Sequence, residues 1–410
     1  MKRRFIVGTP VWESEKISLL PEERRFPIAC VSLLILNRHH RPFGKIAPAR
    51  EEAGSESDFP PTSLKATGGE ANQSTVKETL RHITSIADLG SQGLEKILAQ
   101  ATTWKKESPG HHLSGKVLVS VFFNPSLRTR TSFEAVMARG GGSCVTLEVG
   151  NGVWKLEDRD GVVMDGDKTE HLKEAVPVLS RYGDALAVRS FSEGLGDDDD
   201  NRERVVKGFR KLATVPVISM EGSREHPCQG MADVLTMAET FGKLKGLPVT
   251  LTWAPHVKPL PKAVPNSFLL SAAAAGCEVR VAHPPGFDLT DEVWQQASQL
   301  ASQAGGTVVK AESQAEALAG SHVLYAKAWG PATASTQAST LRQPGWMPTL
   351  RHFEDMAEDA IFMHCLPTRR GLEVGEEVLD SPFSRVVDQA ENRFHVQRVM
   401  MHHLLQEALW

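Results

Sequence analysis

From about residue 85 onward, apolar positions alternate between two rhythms, one of period near 3.6 and one of short continuous runs. Residues 85–102 carry apolar side chains at helical spacing, and residues 115–123 follow as an apolar run without polar alternation, the signature of a strand buried on both faces. The same order then repeats. Residues 131–139 read as a helix closed by Gly140, 143–147 as a strand, 171–182 as a helix and 185–189 as a strand. A second series follows, with strands expected at 248–253, 278–282, 322–326 and 361–364 and a helix at 291–304 between them.

Strand and helix in alternation predict an α/β fold with two Rossmann-like parallel-sheet domains. The segment 226–241 looks helical and lies between the two series, so it is expected to bridge them. Residues 391–409 form a terminal helix with a stripe through Phe394, Val396, Val399, Met400 and Leu404. Residues 1–75 break the pattern, with Pro, Gly, Ser, Glu and Lys crowding 38–75, and are expected not to pack a core. The resulting division is an extension at 1–75, a first domain at 76–219 completed by the helix at 391–410, and a second domain at 220–390. Met1 and Met137 are the only methionines before residue 150, so a start at Val76 from an alternative codon is an open reading of the extension. The run 197–200, four aspartates, reads as a solvated loop ahead of a helix.

Composition narrows the chemistry. A formal net charge of -4 over 410 residues offers no global field for nucleic acid or an anionic membrane, so any anion site must be local. Five cysteines, an odd number without a C-x-x-C pair, argue against a disulfide framework and a structural zinc, and fit a reducing cytoplasm. No metal and no organic cofactor is expected. The apolar run at 28–36 is too short to span a bilayer.

The strongest local signal is the strand ending in Asn124-Pro125-Ser126-Leu127-Arg128-Thr129-Arg130-Thr131 and running into a helix. At such a junction the first helical N–H groups lack partners and face outward at the positive end of the dipole, so with Ser126, Thr129 and a guanidinium they can surround a phosphate. Arg128 and Arg130 are two apart and cannot share a helix face. Arg128 is the expected ligand and Arg130 the structural residue. A bare string of this kind is equally an ordinary capped helix with solvated arginines.

The segment nevertheless resembles the carbamoyl phosphate motif of the aspartate/ornithine carbamoyltransferase family. Further matches follow in family order at His226-Pro227-Cys228-Gln229, His364-Cys365-Leu366-Pro367 and Glu391-Asn392-Arg393, over roughly residues 80–410. The resemblance implies that Ser126, Leu127, Arg128 and Thr129 bind the phosphate and that Arg189, His226, Gln229 and Arg393 hold the carbonyl and amide ends, with Cys365 and Leu366 beside them. Arg128, Thr129, His226 and Cys365 are the implied catalytic group. Taken singly, His226 reads as a cap before Pro227, Arg393 as a salt-bridge partner and Cys365 as a small buried hydrophobe. The family also implies a homotrimer in which Trp154, after a Gly-rich turn, enters the site of the adjacent subunit; an exposed interface tryptophan without a ligand is the other reading.

The Pro-rich stretch Thr252-Trp253-Ala254-Pro255-His256-Val257-Lys258-Pro259-Leu260-Pro261 and the string Tyr325-Ala326-Lys327-Ala328-Trp329 are similar to the N-acetylornithine and N-succinylornithine subgroup, in which the Pro-rich loop is threaded into a knot. An acylated α-nitrogen is neutral, so the acceptor's remaining charges are carboxylates. Lys327, His256, Lys258 and Arg369 supply cations, and Glu221 can accept the amide N–H. Lys258 is equally a solvated loop lysine. In the subgroup a Glu marks the acetyl type and a Pro the succinyl type at the position matching Thr169. Thr is uncharged and small, so it does not repel a succinyl carboxylate. The adopted reading is carbamoyl transfer to N-succinyl-L-ornithine, with N-acetyl-L-ornithine as the alternative. Free ornithine is less favoured because its Ser-Met-Gly loop is missing. A Rossmann dehydrogenase lacks its G-x-G-x-x-G here, and a non-catalytic relative would be expected to have lost these residues.

Overall fold

A computed structural model describes residues 82–107, 110–191, 203–333 and 337–406, all within the second of two compact units, Glu70–Trp410. The extension at 1–75 and the aspartate run at 197–200 lie outside the described residues.

The first sheet takes β1 (Val117–Phe122), β2 (Ser143–Glu148), β5 (Ala185–Arg189) and β6 (Val217–Glu221) in the order β2-β1-β5-β6, all parallel. Between β2 and β5 the chain makes a separate parallel pair, β3 (Lys155–Glu157) and β4 (Lys168–His171). The second sheet takes β7 (Pro248–Trp253), β8 (Glu278–Ala282), β9 (Thr307–Lys310), β10 (Val323–Lys327) and β11 (Ile361–Met363) in the order β11-β10-β7-β8-β9, again parallel. Central strands such as β5 and β10 are buried at every residue. That is why they read as unbroken apolar runs: helices cover both faces of a parallel sheet.

In chain order the longer helices are α1 (Gly90–Lys105), α2 (Leu127–Arg139), α3 (Leu172–Tyr182), α4 (Arg204–Leu212), α5 (Pro227–Phe241), α6 (Ala263–Ala274), α7 (Asp291–Ala304) and α8 (Val386–Leu405). Two begin earlier than their apolar pattern indicates. The helix expected from residue 131 starts at Leu127, because extended Ser126 accepts the Thr129 N–H on its hydroxyl at 3.2 Å and so caps the helix. The helix expected from residue 391 starts at Val386, and its polar face is buried too: Gln389, Asn392, Arg393, Gln397 and Arg398 are all inside. α8 packs on α5, α1 and α2. Through Met231, Leu235, Val396, Val399 and Met400 one continuous core joins Leu118 and Phe122 of the first sheet to Val249 and Leu251 of the second.

This arrangement fixes where the chemistry sits. β1, β5, β6, β7, β10 and β11 all deliver their carboxyl ends to the gap between the sheets, the side on which open parallel sheets bind ligands. Among the described residues no helix is long and apolar enough to cross a membrane.

Candidate active site

Those six strand ends line a cavity of about 540 Å3. Its floor on the first sheet is the start of α2. Ser126 occupies the cap, and the first turn, Leu127, Arg128 and Thr129, faces the cavity with N–H groups that no preceding turn can satisfy. Thr129 is buried and its hydroxyl accepts from Arg393 Nη2 at 2.8 Å, which brings α8 over the mouth of α2. Arg128 projects into the cavity. Arg130 turns away to the surface, where its Nε donates to Glu134 at 3.1 Å and its Nη1 to Glu148.

Arg189 ends β5 and Glu221 ends β6. The two form an ion pair, and the Arg189 guanidinium lies 4.9 Å from the Phe191 ring centroid. His226 precedes α5 with Nε2 3.8 Å from Glu221, and its backbone N–H donates to Ser267 Oγ at 2.6 Å. Burial, with Arg393, Arg189 and Arg128 nearby, drives the His226 pKa well below the usual imidazole value, so the ring is neutral at physiological pH. Arg393 is lowered to about 10 by burial and stays a cation. The buried Nε groups of Arg128, Arg189 and Arg393 have no hydrogen-bond partner among the described residues. Three guanidiniums whose Nε donors are unpaired, lining one cavity beside a helix N-terminus, are the complement of an oxyanion.

The second sheet supplies the opposite wall. Lys327 ends β10, the loop 256–261 after β7 contributes His256, Lys258, Leu260 and Pro261, and residues 365–369 follow β11. Arg369 Nε donates to His256 Nε2 at 3.3 Å, and His256 Nδ1 lies 2.8 Å from Lys258 O and accepts the Lys258 N–H at 3.2 Å. Burial lowers the His256 pKa and keeps that ring neutral. The Arg369 N–H donates to the buried Glu373 at 2.7 Å. Around the cavity six cations, Arg128, Arg189, Arg393, Lys258, Lys327 and Arg369, stand against the carboxylates of Glu221 and Glu373. A chain of net charge -4 has thus concentrated positive charge at one point, as anionic substrates require.

Burial pushes the Cys365 thiol up to about 11, so it is a neutral, weakly polar wall of the site rather than a nucleophile. Iodoacetamide at pH 8 should therefore alkylate Cys365 at least about tenfold more slowly than a free model thiol. Peptide mass mapping over time reads this, and a rate equal to the model thiol's would contradict it. Next to it Leu366 holds a left-handed conformation, φ 54, ahead of a cis peptide to Pro367. That left-handed φ disfavours an L-residue, and Leu366 lines the cavity.

The structure brings together Ser126, Leu127, Arg128, Thr129, Arg189, Glu221, His226, Gln229, His256, Lys258, Lys327, Cys365, Leu366, Arg369 and Arg393. It leaves Trp154 and Thr169 outside this cavity. Trp154, 58% exposed just before β3, donates its indole N–H to Glu170 at 2.7 Å, and Thr169 is exposed on β4. Sequence reasoning missed Phe191, Val264, Thr368 and Glu373 among the lining residues. Glu373 carried the one usable signal, its position four residues after a cationic Arg369 in a segment rich in turns.

The family model for the aspartate/ornithine carbamoyltransferase carbamoyl-P binding domain matches residues 81–239, and that for the Asp/Orn binding domain matches residues 261–404. An N-acetylornithine carbamoyltransferase from Xanthomonas campestris pv. campestris is 38% identical over 330 residues, covering 79% of this chain and 97% of the relative. An N-succinylornithine carbamoyltransferase from Bacteroides thetaiotaomicron is 36% identical over 330 residues, covering 80% and 99%. Among solved structures, acetylornithine transcarbamylase complexed with acetylcitrulline superposes with a TM-score of 0.76 at 38% identity, covering 79% of this chain and 99% of its own. A glutamate-to-alanine variant of N-acetyl-L-ornithine transcarbamylase, complexed with carbamyl phosphate and N-succinyl-L-norvaline, gives 0.76 at 37% identity, covering 79% and 100%.

Proposed function

The chain belongs to the aspartate/ornithine carbamoyltransferase family, and from that premise we propose that its acceptor is N-succinyl-L-ornithine, carbamoylated on the δ-amine to N-succinyl-L-citrulline. The enzyme is a carbamoyltransferase acting on an N-acylornithine. The observation that carries the finer reading is the double cationic character of one cavity. Arg128, Arg189 and Arg393 surround the start of α2, and Lys258, Lys327 and Arg369 line the facing wall with apolar Leu260, Pro261 and Val264 between them. Carbamoyl phosphate takes the first set, and the carboxylates of the acceptor take the second.

The chemistry then needs no further group. The δ-ammonium, with an ordinary pKa near about 10.4, gives up a proton before attack, and the phosphate is the proton acceptor at hand. The amine nitrogen forms a bond to the carbamoyl carbon, the C–O bond to phosphate breaks, the electron pair leaves with inorganic phosphate, and the second proton of the now cationic nitrogen passes to that phosphate to leave the neutral ureido product. Arg128, Thr129 and His226 face the carbonyl oxygen as it becomes negative in the tetrahedral stage, and His226 does so as a neutral hydrogen-bonding ring. Holding both reactants against the same wall supplies much of the remaining acceleration.

We also assign residues 76–219 with the C-terminal helix to carbamoyl phosphate and 220–390 to the acylornithine, and we assign the chain to a homotrimer in which Trp154 reaches the adjacent subunit's cavity. The same reading has the Pro-rich loop threaded. His256 N–H bonds to Leu341 O and Gly330 N–H to Leu260 O, so the loop and the segment after β10 lie against each other, as threading requires. For the acyl group, uncharged Thr169 supports succinyl, while the slightly higher identity to the acetyl enzyme supports N-acetyl-L-ornithine as the second reading.

A side-by-side assay with ornithine, N-acetylornithine and N-succinylornithine decides the acceptor, with the highest kcat/KM expected for the succinyl compound. Thr169 lies outside its own chain's cavity and is assigned, with Trp154, to the adjacent subunit's site on the proposed trimer; there Thr169→Glu should move the succinyl-to-acetyl ratio of kcat/KM toward acetyl by about tenfold, through charge repulsion and lost space. An unchanged ratio removes Thr169 from the specificity argument.

A further inference from the structure

Behind Gln229 lies a buried polar chain to which the reaction described above gives no task. Gln229 faces the cavity from the first turn of α5, and its Nε2 donates to Asp233 Oδ1 at 2.7 Å. The same oxygen accepts from Gln389 Nε2 of α8 at 2.6 Å. Gln389 Oε1 in turn accepts the backbone N–H of His364 at 3.0 Å. All four residues are buried.

Such a chain has a single polarity. A backbone N–H only donates, so the carbonyl end of Gln389 must face His364 and its nitrogen must face Asp233. A carboxylate only accepts, so Gln229 must also give Asp233 its nitrogen. The Gln229 carbonyl oxygen is left for the cavity. A glutamine amide without such a tether can turn over and offer either end.

We propose that Asp233, itself held by Gln389, is a positioning residue that locks the Gln229 amide with Oε1 toward the cavity, where it accepts an N–H of the carbamoyl group. This rests on the carbamoyltransferase activity, since phosphate alone has no N–H to read. The lock makes the site sensitive to the amino group of its donor substrate rather than to the acyl phosphate in general. A reversed Gln229 would set N–H against N–H. Asp233 also shares its surroundings with Arg393 from α8, Tyr325 from β10 and Cys365 after β11. Burial outweighs the Arg393 cation and pushes the Asp233 carboxyl up to about 7, so the accepting, ionised form is present above that pH. Experiments belong at pH 8.

The test compares carbamoyl phosphate with acetyl phosphate, which carries a methyl group in place of the amino group. Citrulline formation by the unaltered enzyme is measured first; its failure would sink the catalytic reading and is distinct from failure of the lock. The KM of carbamoyl phosphate and the competitive Ki of acetyl phosphate then give a preference ratio. In Asp233→Leu this ratio should fall about tenfold, as loss of one well-placed hydrogen bond implies. Asp233→Asn keeps the accepting oxygen and should stay within about threefold of the unaltered enzyme. If Asp233 only supports the fold, both phosphates weaken together and the ratio is unchanged, which overturns the proposal. So does a drop in Asp233→Asn as large as in Asp233→Leu. Should the leucine variant not fold, Gln389→Leu frees the carboxylate to rotate and is expected to lower the ratio about threefold. An unchanged ratio in folded Gln389→Leu is equally fatal.

Discussion

Replacing Arg128 with alanine is expected to cut turnover by about 10²- to 10³-fold while the melting temperature holds, the loss that follows removal of one oxyanion donor. The two halves of that expectation come from different facts. The start of α2 does not depend on Arg128, because Ser126 caps it and Thr129 is held by Arg393. Arg128 Nε has no partner among the described residues, and burial lowers the guanidinium's pKa, so the folded chain carries a desolvated cation that contributes little to its own stability. Its use lies in the bound state, where charge grows on phosphate and carbonyl oxygen. A loss of about 10²- to 10³-fold corresponds to about 2.7–4 kcal/mol of transition-state stabilisation. Arg393→Ala makes the control, since it removes the bond to Thr129 and should depress both melting temperature and rate. Steady-state kinetics beside a thermal melt separates the cases; unchanged turnover in a folded Arg128→Ala would remove the cradle from the mechanism.

How much of this was legible before the fold was known depends on what each residue does for its neighbours. β5, β7, β8 and α7 agree with their apolar patterns to the residue, because strands buried on both faces and one-sided helices write their period directly into the sequence. α6 escaped because it is buried on every side, and a helix that is apolar or small all round has no stripe to detect. β6 escaped because Ser219 and Glu221 interrupt its apolar run, so that no buried strand stands out. α2 was placed four residues late because its first turn is polar, and that first turn is the functional one.

The same contrast holds within the cavity. Arg128, His226, Cys365 and Arg393 stand in ordered motifs, and one cavity gathers them from α2, the start of α5, the loop after β11 and α8. Glu373 and Phe191 sit in irregular segments without a readable period, and they are tied to the site by local contacts with Arg369 and Arg189. The lock on Gln229 was invisible for a related reason. The i to i+4 spacing of Gln229 and Asp233 is ordinary on a helix, and only the docking of Gln389 from more than a hundred residues away gives the pair its polarity.

Mixing two defective chains should restore activity that neither possesses. Trp154 is exposed and lies outside the cavity formed by its own chain, whereas Arg128 lies within it. On the proposed trimer each site combines Arg128 of one subunit with Trp154 of the next. Arg128→Ala and Trp154→Ala would then damage every site in their own homotrimers, Trp154→Ala by at least about tenfold if the indole is a buried anchor in the assembly. In a mixed trimer the ordering around the threefold leaves one site of the three with both residues intact, whichever variant is in excess, so activity should rise to about one third of the unaltered enzyme. Co-expression with two different tags and purification through both isolates the mixed species. If Trp154 served only its own chain, or merely filled a contact, the mixture would show no more than the average of its parents, and the assignment of Trp154 to a neighbouring site would be lost.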